Sequence, residues 1–390
     1  MKLNDNNRFG KIFTIAVVAA IFVAVLLIEQ IQKPSGNVMM FLTVVKKASV
    51  YAIVVVSMNL LNGFTGLFSL GQAGFMLIGA YTYAIFTIPA GVRDSVYKYY
   101  DALVRFSFPE VLQNAMGGFG MILGVIIALI LAGAAAAFVA WLIGLPVLRL
   151  KSDYLAIATL GFAEIIRAIF IWGKLGPVTN GSNPLKNFVR LNAFKIHFGD
   201  TTINLTAFTP LLIAAICVGI IILIVNSSYG RAFKAIREDE IAAEAMGINL
   251  AKHKMLAFCT SSFFAGVGGA MLAMFASTVQ ASNFKSALTY EILLIVVLGG
   301  IGSITGSCIG SFLYIAASEW WLRNLDSGTF LGIAAPGIFR NGFRLVVFSV
   351  IIMIVVLFFR NGIMGTRELP DLFVRKKAKT KAEKEEAAVK

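Results

Sequence analysis

Predominantly apolar stretches of roughly twenty residues recur along this chain, the length a helix needs to cross a hydrocarbon core of about 30 Å. Of 390 residues, 58% are hydrophobic and 14% are charged. Soluble domains carry about a quarter charged residues, so a soluble fold is excluded. The same apolar bias is the opposite of what keeps a chain disordered. The expected fold is an all-α polytopic membrane protein.

Ten spans fit the sequence: Ile12–Ile31, Ala48–Leu61, Leu67–Ile88, Phe119–Ile143, Tyr154–Trp172, Phe208–Val225, Met255–Ser277, Glu291–Ile304, Ser307–Leu322 and Leu345–Phe359. The first follows Lys2, Arg8 and Lys11 and is succeeded by Glu29 to Pro34 with no small-x-small cleavage site, so a retained anchor is expected rather than a removed leader. The net charge of +14 lies between spans and in the last thirty residues. It is therefore an orientation signal rather than a nucleic-acid patch. Arg231, Lys234, Arg237, Lys252 and Lys254 put the connection 226–254 in the cytoplasm, and the basic tail belongs there too. Counting spans between them puts both termini inside. The connections Pro89–Gly118 and Gly173–Ala207 then face outward, and Lys46 and Lys47 also fall outside, against the rule. These readings divide the chain into a transmembrane domain, 1–365, and a charged cytoplasmic tail, 366–390.

Intramembrane enzymology is not indicated. The spans hold no paired carboxylates suited to acid and base work, no Ser/His/Asp arrangement and no phosphate-binding G-x-x-x-x-G-K-[ST] loop. Cys217, Cys259 and Cys308 lie in apolar segments without metal-ligand spacing, and His197 and His253 stand far apart. The few polar groups inside spans are costly in lipid and should face the bundle or a wet path. Ser69, Gln72, Tyr81, Thr159 and Glu164 are the candidates for a translocation path. Glu164 and Arg167, three residues apart on one face, are either a structural ion pair or part of that path. Glycines break up the stretches around residues 63–79 and 299–310, as in the discontinuous helices of transporters. Gly302, Gly306 and Gly310 also repeat every four residues, a pattern that favours close helix packing. The connection from Ser228 to Leu250 is rich in helix formers, contains Glu238, Asp239, Glu240 and Glu244, and stops at Gly247.

That connection carries a resemblance. Gly230-Arg231-Ala232, Ala235 to Glu240, and Ala242-Ala243 with Glu244 and Gly247 resemble the EAA coupling loop of ABC importer permeases, in the form used by the LivH/LivM family of branched-chain amino-acid permeases. The runs Asn59–Tyr81, Ser152–Arg167, Val297–Gly306 and Arg360–Gly365 resemble that family's other signatures in order, and Asp153-Tyr154-Leu155 and Arg237 to Glu240 favour the LivM type. Gln72 stands where many relatives have His, Ile241 where the loop has its name-giving Glu, and Asn361 where Pro is usual.

The resemblance implies one of two permease subunits of an ATP-driven importer for branched-chain or similar amino acids in a bacterial or archaeal cytoplasmic membrane. A LivH-like second permease, two ABC ATPase subunits and an extracytoplasmic substrate-binding protein would be its partners. No cofactor is expected in this chain, since ATP and Mg would be used by the ATPases, and the chain itself would be no enzyme. Gly230, Arg231, Arg237, Glu238, Asp239, Glu240, Ala242, Ala243, Glu244 and Gly247 would contact the ATPase. A urea or short-amide permease of the same superfamily is the alternative, and a stand-alone channel or secondary transporter a more distant one.

Overall fold

A computed structural model of the chain describes residues 2–31, 35–150, 152–198 and 201–321, with parts of 329–368. Two long helices lead, α1 (Lys2–Glu29) and α2 (Gly36–Asn59), the latter continued by a π-helical turn, Leu60–Phe64. After a non-helical stretch come α3 (Gln72–Thr87), the short α4 (Arg93–Val96), α5 (Phe108–Met116) and α6 (Gly118–Val147). Then follow α7 (Ser152–Ile171), the single turn α8 (Gly176–Thr179), and a two-stranded antiparallel hairpin, β1 (Lys195–Phe198) and β2 (Thr201–Asn204), in which Lys195 pairs with Asn204. Helices α9 (Phe208–Asn226), α10 (Ser228–Glu238), α11 (Glu240–Ala245), α12 (Leu250–Ala276), α13 (Ser286–Gly299) and α14 (Ile304–Ala316) complete the bundle. A second π-helical turn, Ala317–Trp321, extends α14.

Five helices among the described residues are long and apolar enough to cross a membrane. The number rises to seven if each of two bent pairs is one span: Gln72–Thr87 with Ala90–Val96, bent by 101°, and Ser286–Gly299 with Ile304–Trp321, bent by 119°. Three expected spans are thereby redrawn. The second begins already at Gly36 rather than Ala48, and Lys46 and Lys47 are helix residues, not loop charges. Lys47 can lie inside because its ammonium meets Glu319 Oε1 at 2.5 Å, and an intramembrane charge is tolerated when it is paired. The eighth and ninth spans are the two short arms of one bent pair. Most of the tenth span, Leu345–Phe359, and of the tail, 366–390, lies outside the described residues.

The centre of the bundle is α3, α6 and α12, and backbone contact between small residues sets their distance. Along α6, Gly120, Gly124, Ala128, Ala132, Ala136, Ala140 and Gly144 form one buried stripe at four-residue spacing, while Ile122, Ile126, Ile130 and Trp141 are exposed. Four residues advance about 400°, so such a stripe drifts only slowly around the helix. Where lipid removes the hydrophobic driving force, close approach of this kind is what holds helices together. Gly266 of α12 lies between both neighbours. A Cβ there would stand 2.6 Å from the Cβ of Ala136 and 2.8 Å from the carbonyl oxygen of Ala132. On the other side, a Cβ on Gly79 of α3 would come 2.0 Å from the oxygen of Gly266.

The connections after α3 and α7 fold onto one end of this core. Arg93 is buried and serves the end of α3: Nη2 donates to the oxygens of Ile85 at 3.0 Å and Ile88 at 2.9 Å, and Nη1 donates to the oxygen of Val104. A cation at a helix C-terminus answers both the orphan carbonyls and the macrodipole. Tyr97 donates to the oxygen of Val178 at 2.9 Å, and burial pushes its phenol up to about 12. Tyr100 lies over Gly176, where a Cβ would stand 2.2 Å from the ring.

Placing a Val side chain at Gly266 should therefore separate α12 from both neighbours. We expect Gly266→Val to lower stability by about 1–3 kcal/mol or more, the usual cost of overpacking. Gly161→Ala, on α7 with nothing within 4 Å of its Cβ, should be neutral or stabilising by about 0.5–1 kcal/mol. Thermal unfolding in detergent compares the two, and equal midpoints would sink the account.

Candidate functional site

The polar groups of the bundle gather at two places, both where helices break. The first is the start of α3. Between Phe64 and Gln72 the backbone is not helical, so its N–H groups need partners inside the protein. Leu70 N donates to Thr159 Oγ1 of α7 at 3.0 Å, Ala73 N to Thr289 Oγ1 of α13 at 3.0 Å, and Ser69 N to Asn62 Oδ1 at 3.2 Å. Gln72 Nε2 donates to Ser57 Oγ of α2 at 2.7 Å, and Ser261 of α12 donates to the oxygen of Ser57 at 2.7 Å. Five helices thus meet through small hydroxyls and two amides. Ser69, Gln72 and Thr159, expected along one path, do converge here, each 2% exposed. Tyr81 lies elsewhere, three turns along α3, fully buried with its ring edge-on to Phe170 at 4.9 Å.

Glu164 is half-exposed and joins α7 to the start of α13. Its Oε2 accepts from Arg167 Nε at 2.7 Å, and its Oε1 accepts from Ser286 N at 3.2 Å and Ser286 Oγ at 2.5 Å. The Glu164–Arg167 pair therefore exists, and its further work is to cap a helix. On the same α13, Glu291 lies beside Tyr51 and Tyr314.

The second place is the turn between α13 and α14. Gly300 and Gly302 have φ of +118° and +86°, values open to glycine, and the chain reverses there. Asn59 of α2, fully buried, reaches into this turn: Nδ2 donates to Ser303 O at 2.9 Å, Ser307 Oγ at 2.7 Å and Gly300 O at 3.3 Å, while Oδ1 accepts from Gly302 N at 2.8 Å. The end of the described chain closes the other side. Ile363 N donates to Leu298 O at 2.9 Å and Met364 N to Gly299 O at 3.2 Å, which caps the last carbonyls of α13. Glu368 accepts from Ile304 N at 2.7 Å and Thr305 N at 3.0 Å and so caps the start of α14. Gly302 consequently belongs to the turn and not to one helical face with Gly306 and Gly310, a correction that follows from its positive φ. Gly306 and Gly310 do face a neighbour, Gly299 of α13 in this same chain: a Cβ on Gly306 would lie 2.2 Å from the oxygen of Gly299.

Above this turn lies the connection 226–254, folded as α10 and α11. Gly230 makes the corner from α9, where a Cβ would meet the oxygen of Val225 at 2.0 Å. Arg237 Nη1 donates to the oxygen of Gly63 at 2.9 Å, and its remaining nitrogens hold Glu238. Asp239 is the N-cap of α11, accepting from Ile241 N at 2.8 Å and Ala242 N at 3.0 Å, and Glu240 pairs with Lys254 at 2.6 Å. Ala243 is buried against the bundle, whereas Arg231, Ala242 and Glu244 point to solvent. Gly247 stops the segment with φ of +82°. Ile241 and Met246 stand 82% and 83% exposed at this end.

Asn59, Ser57, Thr289 and Glu368 are the site residues that sequence reasoning assigned no role. For Asn59 a signal was available, an amide that ends the largely apolar run Ala52–Met58 one turn before Gly63. Glu368 offered none, because only the fold brings it to α14.

A many-helix bundle with two bent pairs, a polar meeting point at one break and a short amphipathic helix at the other is the architecture of a polytopic membrane protein. Residues 40–363 match the protein family described as branched-chain amino acid transport system / permease component, and the chain belongs to that family. It is 31% identical over 291 residues to the high-affinity branched-chain amino acid transport system permease protein LivM of Escherichia coli (strain K12), and 30% identical over 291 residues to the protein of the same name from Salmonella typhimurium. Each match covers 69% of this chain and 61% of the relative. The probable LivM permease of Methanocaldococcus jannaschii is 24% identical over 286 residues, 68% of this chain and 76% of that one. No solved structure matches the chain.

Carboxylate capping makes a direct prediction. Glu368→Ala removes three charge-assisted bonds from the start of α14, two from backbone N–H groups and one from Thr305 Oγ1, and should cost about 1–2 kcal/mol. Glu368→Gln, which still accepts one, should recover roughly half. Thermal unfolding of both variants measures this, and wild-type stability in Glu368→Ala would remove the capping role.

Proposed function

We propose that this chain is one of two permease subunits of an ATP-driven importer for branched-chain or similar amino acids. It would work with a second, LivH-like permease, two ABC ATPase subunits and an extracytoplasmic substrate-binding protein. The observation that carries this reading is the α10–α11 segment: a short helix on a carboxylate cap that presents Ile241 and Met246 to solvent while Arg237 grips the bundle. In the proposed importer these two side chains meet the ATPase. In this reading the segment is cytoplasmic, both termini share that side, and the bundle sits in the cytoplasmic membrane of a bacterium or archaeon.

The mechanism is alternating access. ATP closes the ATPase pair, the closure displaces α10 and α11, and the bundle exchanges inward for outward opening. This chain supplies no chemistry of its own, and ATP and Mg act in the ATPases. The polar meeting point at the start of α3 is the gate. While it is closed, Gln72 donates to Ser57, and Thr159 and Thr289 accept from the backbone N–H groups of Leu70 and Ala73; water or substrate takes over those bonds when it opens. Ser69 lines the same passage, with Tyr81 and Glu164 further along.

Transport by the purified, reconstituted complex against labelled leucine, isoleucine, valine and urea tests the substrate class. Uptake of urea with no uptake of the three amino acids would overturn it. Gly247→Leu, strained at its positive φ, should leave assembly intact and lower substrate-stimulated ATP hydrolysis about fivefold or more, the low end of a typical coupling energy. Unchanged stimulation would count against a coupling role. Cysteines placed singly at Ser69, Gln72 and Thr159 should resist a small aqueous thiol reagent in the closed state and react at one position at least when ATP is bound. If all three stay unreactive with and without ATP, they are packing residues.

A further inference from the structure

We infer that Asn59 is a positioning residue for transport: with Gly63 and Arg237 it fastens α10 to the α13–α14 turn, so that displacement of α10 is delivered to that turn. The inference rests on the coupling reading above and adds the route by which the motion enters the bundle.

The first link is between α10 and the end of α2. Leu67 N donates to the oxygen of Leu61 at 3.1 Å, which leaves the oxygen of Gly63 without that N–H and open to Arg237 Nη1 at 2.9 Å. Gly66, at φ +76°, lies against the same residue, and a Cβ there would stand 2.9 Å from Cγ and 3.3 Å from Cα of Arg237. Lys234, one turn earlier, holds its ammonium 5.6 Å from the ring centroid of Phe64. Residues 63–66 and α10 are thus in contact through a charge-assisted bond, a glycine face and a ring.

The second link runs from residue 63 to the turn. A Cβ on Gly63 would lie 1.9 Å from Asn59 Oδ1 and 2.7 Å from Gly302 N, so only glycine leaves room for the Asn59 amide to take Gly302 N and the oxygens of Gly300 and Ser303 together. The amide is chemically specific. A carboxylate at residue 59 would set an acceptor against two carbonyl oxygens, and an alkyl group would leave buried N–H and C=O groups unpaired, a substantial cost each. No part of the turn can shift against α2 without exchanging these bonds.

A purely structural role for the same contacts would change how much complex assembles; a positioning role changes transport per ATP hydrolysed. In proteoliposomes holding the full complex, Asn59→Asp and Gly63→Ala should retain basal ATP hydrolysis while transport per ATP falls about tenfold, the factor that 1.4 kcal/mol represents. In a background with Cys217, Cys259 and Cys308 replaced, spin labels at Arg231→Cys on α10 and Ile301→Cys in the turn, both exposed, report the link directly. Their separation should be the same without nucleotide and with ATP in the otherwise wild-type complex, and should change or broaden with ATP once Arg237→Ala is added. An unchanged transport-to-ATP ratio in Asn59→Asp and Gly63→Ala overturns the proposal. So does a label separation indifferent to Arg237→Ala, and this second measurement decides the matter if the first two variants fail to assemble. Gly247→Leu separates the two levels. If it uncouples while the Asn59 and Gly63 variants do not, coupling stands and this route fails. If none uncouples, the coupling reading itself fails.

Discussion

A helix end packed inside the protein leaves N–H and C=O groups without water, and this bundle is organised around supplying them with partners. Three carboxylates each take a helix start. Glu29 accepts from Thr206 Oγ1 at 2.7 Å, Ala207 N at 2.8 Å and Phe208 N at 3.1 Å at the head of α9, Glu164 does the same for α13, and Glu368 for α14. Arg93 takes the carbonyls at the end of α3. In every case the charge has the sign that the helix dipole favours. Charged residues inside so apolar a chain look like a puzzle until they are seen at these ends, where the desolvation of the charge is offset by the bonds it completes.

Glycine carries out the complementary task. It lets backbones approach where α3, α12 and α6 cross at Gly79 and Gly266, and it reverses the chain where α13 turns into α14 at Gly300 and Gly302. The two uses differ in what they permit. A crossing held by mutual backbone contact is rigid, because a shift along either helix brings side chains into a space made for none. A turn held to α2 by a buried amide stays with the end of that helix. The rigid part is therefore the α3–α6–α12 centre, and in the proposed importer the α13–α14 turn travels with the end of α2.

How much of this could be read from the sequence follows from which interactions are local. Long uninterrupted runs such as 119–143 and 208–225 placed their helices well, since length and hydropathy are properties of the segment alone. Lys46 and Lys47 truncated the second span because the partner of Lys47, Glu319, lies far along the chain. The paired glycines near residue 300 were visible, but whether Gly302 belongs to a helical face or to a turn depends on the hydrogen bonds that Asn59 gives that turn. The glycine-broken start of α3 was legible as a break, and Ser69, Gln72 and Thr159 were legible as a group, since polar atoms in lipid have few places to go. Thr289 and Ser57 were not, because a hydroxyl in an apolar helix can equally bond its own preceding carbonyl, as Ser49 and Ser57 indeed do with Val45 and Val54.

The meeting point at the start of α3 also explains why so uncharged a site suits a gate. Each contact there is a neutral hydrogen bond, and such a bond exchanged for one to water changes stability by only about 0.5–1.5 kcal/mol. Had the same helices been joined by buried ion pairs, separating them would strand charges at a cost of about 3–5 kcal/mol for each pair, more than a coupling of a few kcal/mol could reverse in every cycle. The bundle keeps Glu29, Arg93, Glu164 and Glu368 at helix ends, where they stay put, and uses hydroxyls and amides where, in the proposed importer, partners must change. That division lets one structure be firm at its crossings and still have two arrangements close enough in free energy for a bound nucleotide to choose between them.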